Sequence, residues 1–106
     1  MRNGMRPTVT KDELVVISPS KPIENEPLQR HLLRGRVETV DGEGLRLRPF
    51  AADIETFQDY DSFVPWSMVG LMTVITEQQV PRMRGMLNDM IRRDLRDAEA
   101  FAAARG

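Results

Sequence analysis

Few residues in this chain have side chains suited to covalent or acid–base chemistry. There is no cysteine, which excludes thiol catalysis, thiolate metal sites and a disulfide framework. His31 is the one histidine, so a metal site built from several imidazoles of one chain is excluded as well. It lies among Leu28, Leu32 and Leu33 beside two arginines, with no nucleophile or partner acid at a recognisable spacing, so a structural role is expected. Asp53, Glu55, Asp59 and Asp61 form an acidic run around Ile54, Phe57 and Tyr60. Hard divalent cations take several carboxylates, but the D-x-D-x-D-G pattern and its closing glutamate are missing. A solvated loop or an acidic docking surface is the expectation there. Glu38, Asp41 and Glu43 sit at a turn facing water, where carboxylates stay ionised and do no acid–base work. The chain is therefore expected not to be an enzyme, with no catalytic, cofactor-binding or metal-ligating residue.

Binding is better served. Arg34, Arg36, Arg46 and Arg48 alternate with apolar residues on two neighbouring segments, which at period two places all four on one face of a hairpin. Such a stripe is a solvated sheet face, a phosphate-binding surface, or a match for an acidic surface such as the chain's own loop at 53–61. Trp66 follows a proline at a strand end, where tryptophan serves as a core lid or as an interface anchor. Met83, Leu87, Met90, Ile91 and Leu95 recur at three and four residues and form an apolar helical stripe. That stripe covers the protein's own sheet or meets a partner. With Trp66 it supplies the expected interface residues.

Several elements must position these groups. Residues 1–12 lack periodicity and are expected to be a flexible N-terminal tail. Residues 13–18 (ELVVIS) are aliphatic and β-branched, the composition of a strand, and the prolines in KPIENEP make 21–27 a surface loop. A short helix is expected over 27–33. Residues 33–41 and 45–50 are strands joined by Asp41-Gly42-Glu43-Gly44, with 33, 35, 37 and 39 sharing the inner face. Glycine is expected to supply positive φ in that turn. Residues 51–62 are a long connection. Residues 63–65 and 69–75 are two further strands, separated by a single helical turn around Trp66. From Thr76 the period changes to an amphipathic helix of about 25 residues, on the order of 37 Å long, with Gly85 as its weak point.

The chain has 106 residues, 41% hydrophobic and 29% charged, the balance of one globular domain with a thin core. Fifteen basic and sixteen acidic residues leave a net charge of −1, so no overall field draws it to nucleic acid or anionic lipid. The apolar run Leu14–Ile17 is far short of the ~20 residues of a membrane span, and a cytoplasmic location without membrane contact is expected.

Four or five short strands with a glycine-bearing hairpin fit a closed or nearly closed small β-barrel, since closure hides the edges of so short a sheet. Leu33-Arg34-Gly35-Arg36-Val37-Glu38-Thr39-Val40-Asp41 resembles the second strand of the Sm-like fold, above all its bacterial Hfq branch. There a glycine sits in a bent strand ahead of an alternating run and an aspartate. Phe63–Val74 resembles that fold's fourth and fifth strands with the tight turn between them. The likeness spans 33–75, less than half of the chain. It implies a five-stranded Sm- or SH3-like β-barrel that self-associates through those two strands. It does not carry over the family's RNA contacts. Val64-Pro65-Trp66-Ser67 lacks the lysine and histidine of the Hfq turn, and Gly42-Glu43-Gly44 lacks the asparagine of the archaeal and eukaryotic hairpin. The expected function is thus a non-catalytic assembly or protein-interaction module forming a homo-oligomer. The alternative is an RNA-binding ring that uses the arginine face.

Overall fold

The structure, a computed structural model, describes residues 9–24 and 29–105. Five strands, β1 (Leu14–Pro19), β2 (Arg34–Val40), β3 (Gly44–Pro49), β4 (Ser62–Pro65) and β5 (Val69–Ile75), form one antiparallel sheet in the order β4-β3-β2-β1-β5. A 3-10 turn, η1 (Arg30–Leu33), precedes β2, and a second, η2 (Trp66–Met68), joins β4 to β5. The long helix α1 (Val80–Arg105) ends the chain. Mixed β with a C-terminal helix is thus the fold, as the periodicities imply.

The sheet does not close. β4 and β5 stand at its two ends and each pairs with one neighbour, so two edges remain where a closed barrel was an expectation. The three residues that join β4 to β5 form a 3-10 turn rather than a hairpin, and those two strands are not laddered on each other.

Residues 9–12 belong to the fold rather than to a tail. Val9 is buried in the core and the Asp12 N–H donates to the Val37 carbonyl at 2.7 Å. The remainder of the expected tail, 1–8, lies outside the described residues, as do part of the loop at 21–27 and the start of the helix expected at 27–33. Alternation on β2 holds for Leu33, Gly35 and Val37 and then slips. A bulge between Val37 and Thr39 leaves Thr39 exposed, so only three of the four expected inward positions face the core. The β2–β3 turn forms where expected, but no glycine in it has positive φ. Asp41 makes the turn instead, its Oδ1 accepting from the N–H groups of Glu43 (2.8 Å) and Gly44 (3.2 Å). Gly44 is needed for space, because a Cβ there would lie 2.3 Å from the Val64 carbonyl oxygen.

Two apolar cores result. Val15, Ile17, Val37, Leu45, Leu47 and Val64 form the first, with Val9 and Leu33. Phe50, Ile54, Ile75, Leu87 and Ile91 form the second, between helix and sheet. The helix begins at Val80, after a turn in which the Gln79 side chain accepts from the Thr76 N–H at 3.0 Å.

Candidate functional site

The most heavily buried charge lies under α1. Asp94 is 2% exposed, on the helix face that also carries Leu87 and Ile91. Its Oδ1 accepts from Arg30 Nη1 at 3.0 Å and its Oδ2 accepts from Arg34 Nη1. Arg30 belongs to η1 and Arg34 opens β2, so one carboxylate ties the helix to both. Arg34 Nη1 also donates to the Arg30 carbonyl at 3.2 Å, and Asp97 Oδ2 lies 3.8 Å from Arg30 Nη1. Burial pulls the Arg34 pKa down from its ordinary value while Asp94 holds it up; a guanidinium stays charged through such a shift.

His31 packs on the same cluster. A cavity of about 10 Å³, the size of one water, is lined by His31, Arg34, Phe50, Ile91 and Asp94. The His31 Nδ1 and the Arg34 Nε are buried there without a hydrogen-bond partner among the described residues. His31 Nε2 and the Tyr60 hydroxyl are 3.4 Å apart. Burial lowers the His31 pKa from 6.5; the attraction of Asp94 opposes that and the repulsion of Arg34 adds to it.

The hairpin arginines do not form a free stripe. Arg34 is taken by Asp94. Arg36 stands directly opposite Arg48 across β2 and β3, a like-charge pair that would repel if left alone. Arg36 Nε donates to Glu38 Oε2 at 2.8 Å, and its guanidinium lies 4.4 Å from the Phe57 ring centroid. Arg48 Nε donates to Asp61 Oδ1 at 3.2 Å, so part of the stripe does meet the chain's own acidic loop. The Glu38 pKa is pulled down, first by the Arg36 hydrogen bond. Of the four, Arg46 is exposed, opposite Thr39 and next to Phe63 of β4.

The acidic run at 53–61 disperses in the same way. Asp53 folds back on its own turn, accepting from the Glu55 N–H at 2.9 Å and the Thr56 hydroxyl at 3.1 Å, and its pKa falls chiefly for the first of these. Glu55 meets Arg84 of α1. Among the described residues no three His, Asp or Glu side chains converge as metal ligands.

The apolar stripe of α1 faces its own sheet. Leu87 and Ile91 are 3% exposed, and Met83, Met90 and Leu95 pack partly buried around them. These five expected interface residues are therefore taken up inside the chain: the second core supplies the apolar surface that the thin first core could not. Trp66 is half-buried against the first core, and its indole N–H donates to the Asp41 carbonyl at 2.8 Å, which pins η2 to the β2–β3 turn.

Large apolar side chains are exposed elsewhere, at Val40, Tyr60 and Met86 and at the two ends of the sheet. Phe63 of β4 (52% exposed), Met68 of η2 and Leu71 of β5 (64%) are open to solvent. Beside β4 runs a groove of about 110 Å³ lined by Ile23, Leu32, Phe63 and Met68. A cleft of about 600 Å³ opens between Lys11–Leu14 and Ile75–Val80 and mixes both signs of charge. Sequence reasoning missed the exposed apolar residues of the two sheet ends and Asp94. Asp94 had a signal: it continues the spacing Leu87, Ile91, 94, 98 of the covered face.

Comparison with protein-family models, with curated proteins and with solved structures finds no match to this chain. No helix among the described residues is long and apolar enough to cross a membrane.

Proposed function

We propose that this chain is a non-catalytic assembly module that joins copies of itself edge to edge through its open sheet. The observation that carries this reading is β5. Its seven residues, Val69–Ile75, include no charge and no proline, the usual devices that keep an edge strand from recruiting another. A row of backbone donors and acceptors on such a strand is a template for a further strand. The same molecule offers a second edge, β4, at the far end of the sheet. Contact between β4 of one copy and β5 of the next is head to tail, and it closes into a ring where the rotation allows. Phe63, Met68 and Leu71 would lose their exposure in that contact. The arrangement is also what the resemblance to the Sm-like fold implies.

Binding of RNA by the arginine face finds less support. Phosphates there would have to break the ion pairs of Arg34, Arg36 and Arg48 with Asp94, Glu38 and Asp61. Edge pairing requires no such exchange.

Light scattering at tens of micromolar tests the proposal. A mass that is a multiple of 12.1 kDa is expected for the unmodified chain. Leu71→Lys and Phe63→Lys, both at exposed positions, should reduce it to that of one chain with the far-ultraviolet signal unchanged. A monomeric mass for the unmodified chain would overturn the proposal.

A further inference from the structure

The cluster around Asp94 brings two guanidinium groups and the imidazole of His31 together against one buried carboxylate. We propose that His31 makes the docking of α1 on the sheet sensitive to acid, so that Asp94, Arg30, Arg34 and His31 together form a latch that loosens as the imidazole takes up a proton. This is separate from edge assembly and does not depend on it.

The geometry carries the argument. The polar groups facing His31 are Asp94 from α1, Arg34 from β2 and Tyr60 from the loop before β4, while Arg30 of its own turn reaches the same carboxylate. Behind them, Asp97 approaches Arg30, and Arg93 acts on Arg34 through its charge. Asp94 already accepts from two guanidinium groups; its attraction favours the protonated ring, but burial outweighs it and the repulsion of Arg34 adds to burial. Protonation would also place a second N–H at Nδ1 or Nε2, and Nδ1 is buried with no acceptor among the described residues. The neutral ring is therefore the form that the docked helix favours, and burial moves the group in the same direction.

The sign of the linkage follows. A histidine whose folded value lies below 6.5 binds its proton more readily in the undocked or unfolded chain. The stabilisation is whole above about pH 6.5 and is lost as pH falls through the folded value. His31 is the one histidine and there is no cysteine, so no other side chain has its ordinary value between pH 5.5 and 7.5.

The experiment uses the full chain. In an NMR titration, the His31 ring protons should show a midpoint below 6.5. The unfolding constant from urea titrations should rise between pH 7.5 and 5.5, by at most about tenfold, the bound for one group with an unfolded value near 6.5. His31→Gln should remove that rise. Amide exchange, corrected for its intrinsic pH dependence, should quicken over 87–95 of α1 ahead of β2 and β3. A midpoint at or above 6.5, an equal pH response in His31→Gln, or equal loss of protection in helix and strands would each overturn the proposal.

Discussion

Asp94 is buried because two guanidinium groups meet it, and the three charges depend on one another unequally. Removing the carboxylate leaves Arg30 and Arg34, 28% and 14% exposed, facing each other under the helix. Breaking a buried pair by deleting one partner costs about 3–5 kcal/mol, and the partial exposure of Arg30 places Asp94→Ala near about 3 kcal/mol. Replacing all three together by apolar residues (Arg30→Met, Arg34→Leu, Asp94→Leu) should recover most of that loss, since burying charges is itself costly. Urea midpoints of the single and triple variants check this; a triple variant no more stable than Asp94→Ala would show that the cluster contributes more than mutual neutralisation. At this scale the sequence was only partly legible. Alternation placed Arg34, Arg36, Arg46 and Arg48 on one face, with Glu38 two residues from Arg36 on the same strand, but nothing local shows that Asp61 comes within reach of Arg48 or Asp94 within reach of Arg34. Those pairings depend on the path of the 51–61 loop and on where α1 docks, both tertiary outcomes.

Among the elements, β2 and β3 approach so closely that a side chain at residue 35 has no room. A Cβ on Gly35 would fall 2.1 Å from the Arg48 carbonyl oxygen and 2.8 Å from Pro49 Cα, both backbone atoms that move only if the strands separate. Gly35→Ala is therefore expected to destabilise by about 1–3 kcal/mol through overpacking. Gly85 makes the contrast. A Cβ there meets nothing within 4 Å, and the position is interior to α1, so Gly85→Ala should stabilise by about 0.5–1 kcal/mol. Chemical denaturation of both variants tests the pair, and a Gly35→Ala protein as stable as the parent would contradict the packing account. Strands and helix were read from periodicity because each buries one face: β5 spans the residues expected of it, and α1 starts four residues after Thr76. The Val37–Thr39 bulge was not readable, because one extra residue leaves the composition of the strand unchanged.

For the whole molecule, the decisive feature is the open sheet. Closure was the expectation because a short sheet has to protect its edges, but the same physics permits a second solution, in which another copy covers them. No residue type distinguishes the two outcomes, which is why the sequence could not choose. The charges do bear on how such an assembly is held. The net charge is −1, and Asp94, Glu38, Asp61 and Glu55 already have arginine partners in their own chain: Arg30 and Arg34, Arg36, Arg48 and Arg84. The sheet ends instead present Phe63 and Leu71 on the edge strands β4 and β5, with Met68 in the turn between them. Contacts made by apolar side chains and backbone hydrogen bonds are little affected by screening, whereas contacts between exposed charges fade as the screening length shrinks from about 10 Å at 0.1 M to about 3 Å at 1 M salt. The mass of the assembly should accordingly stay the same from about 0.1 M to about 1 M sodium chloride. Dissociation over that range would point to charged surfaces, the cleft at Lys11–Glu13 or the exposed Arg46, as the contact in place of the strand edges.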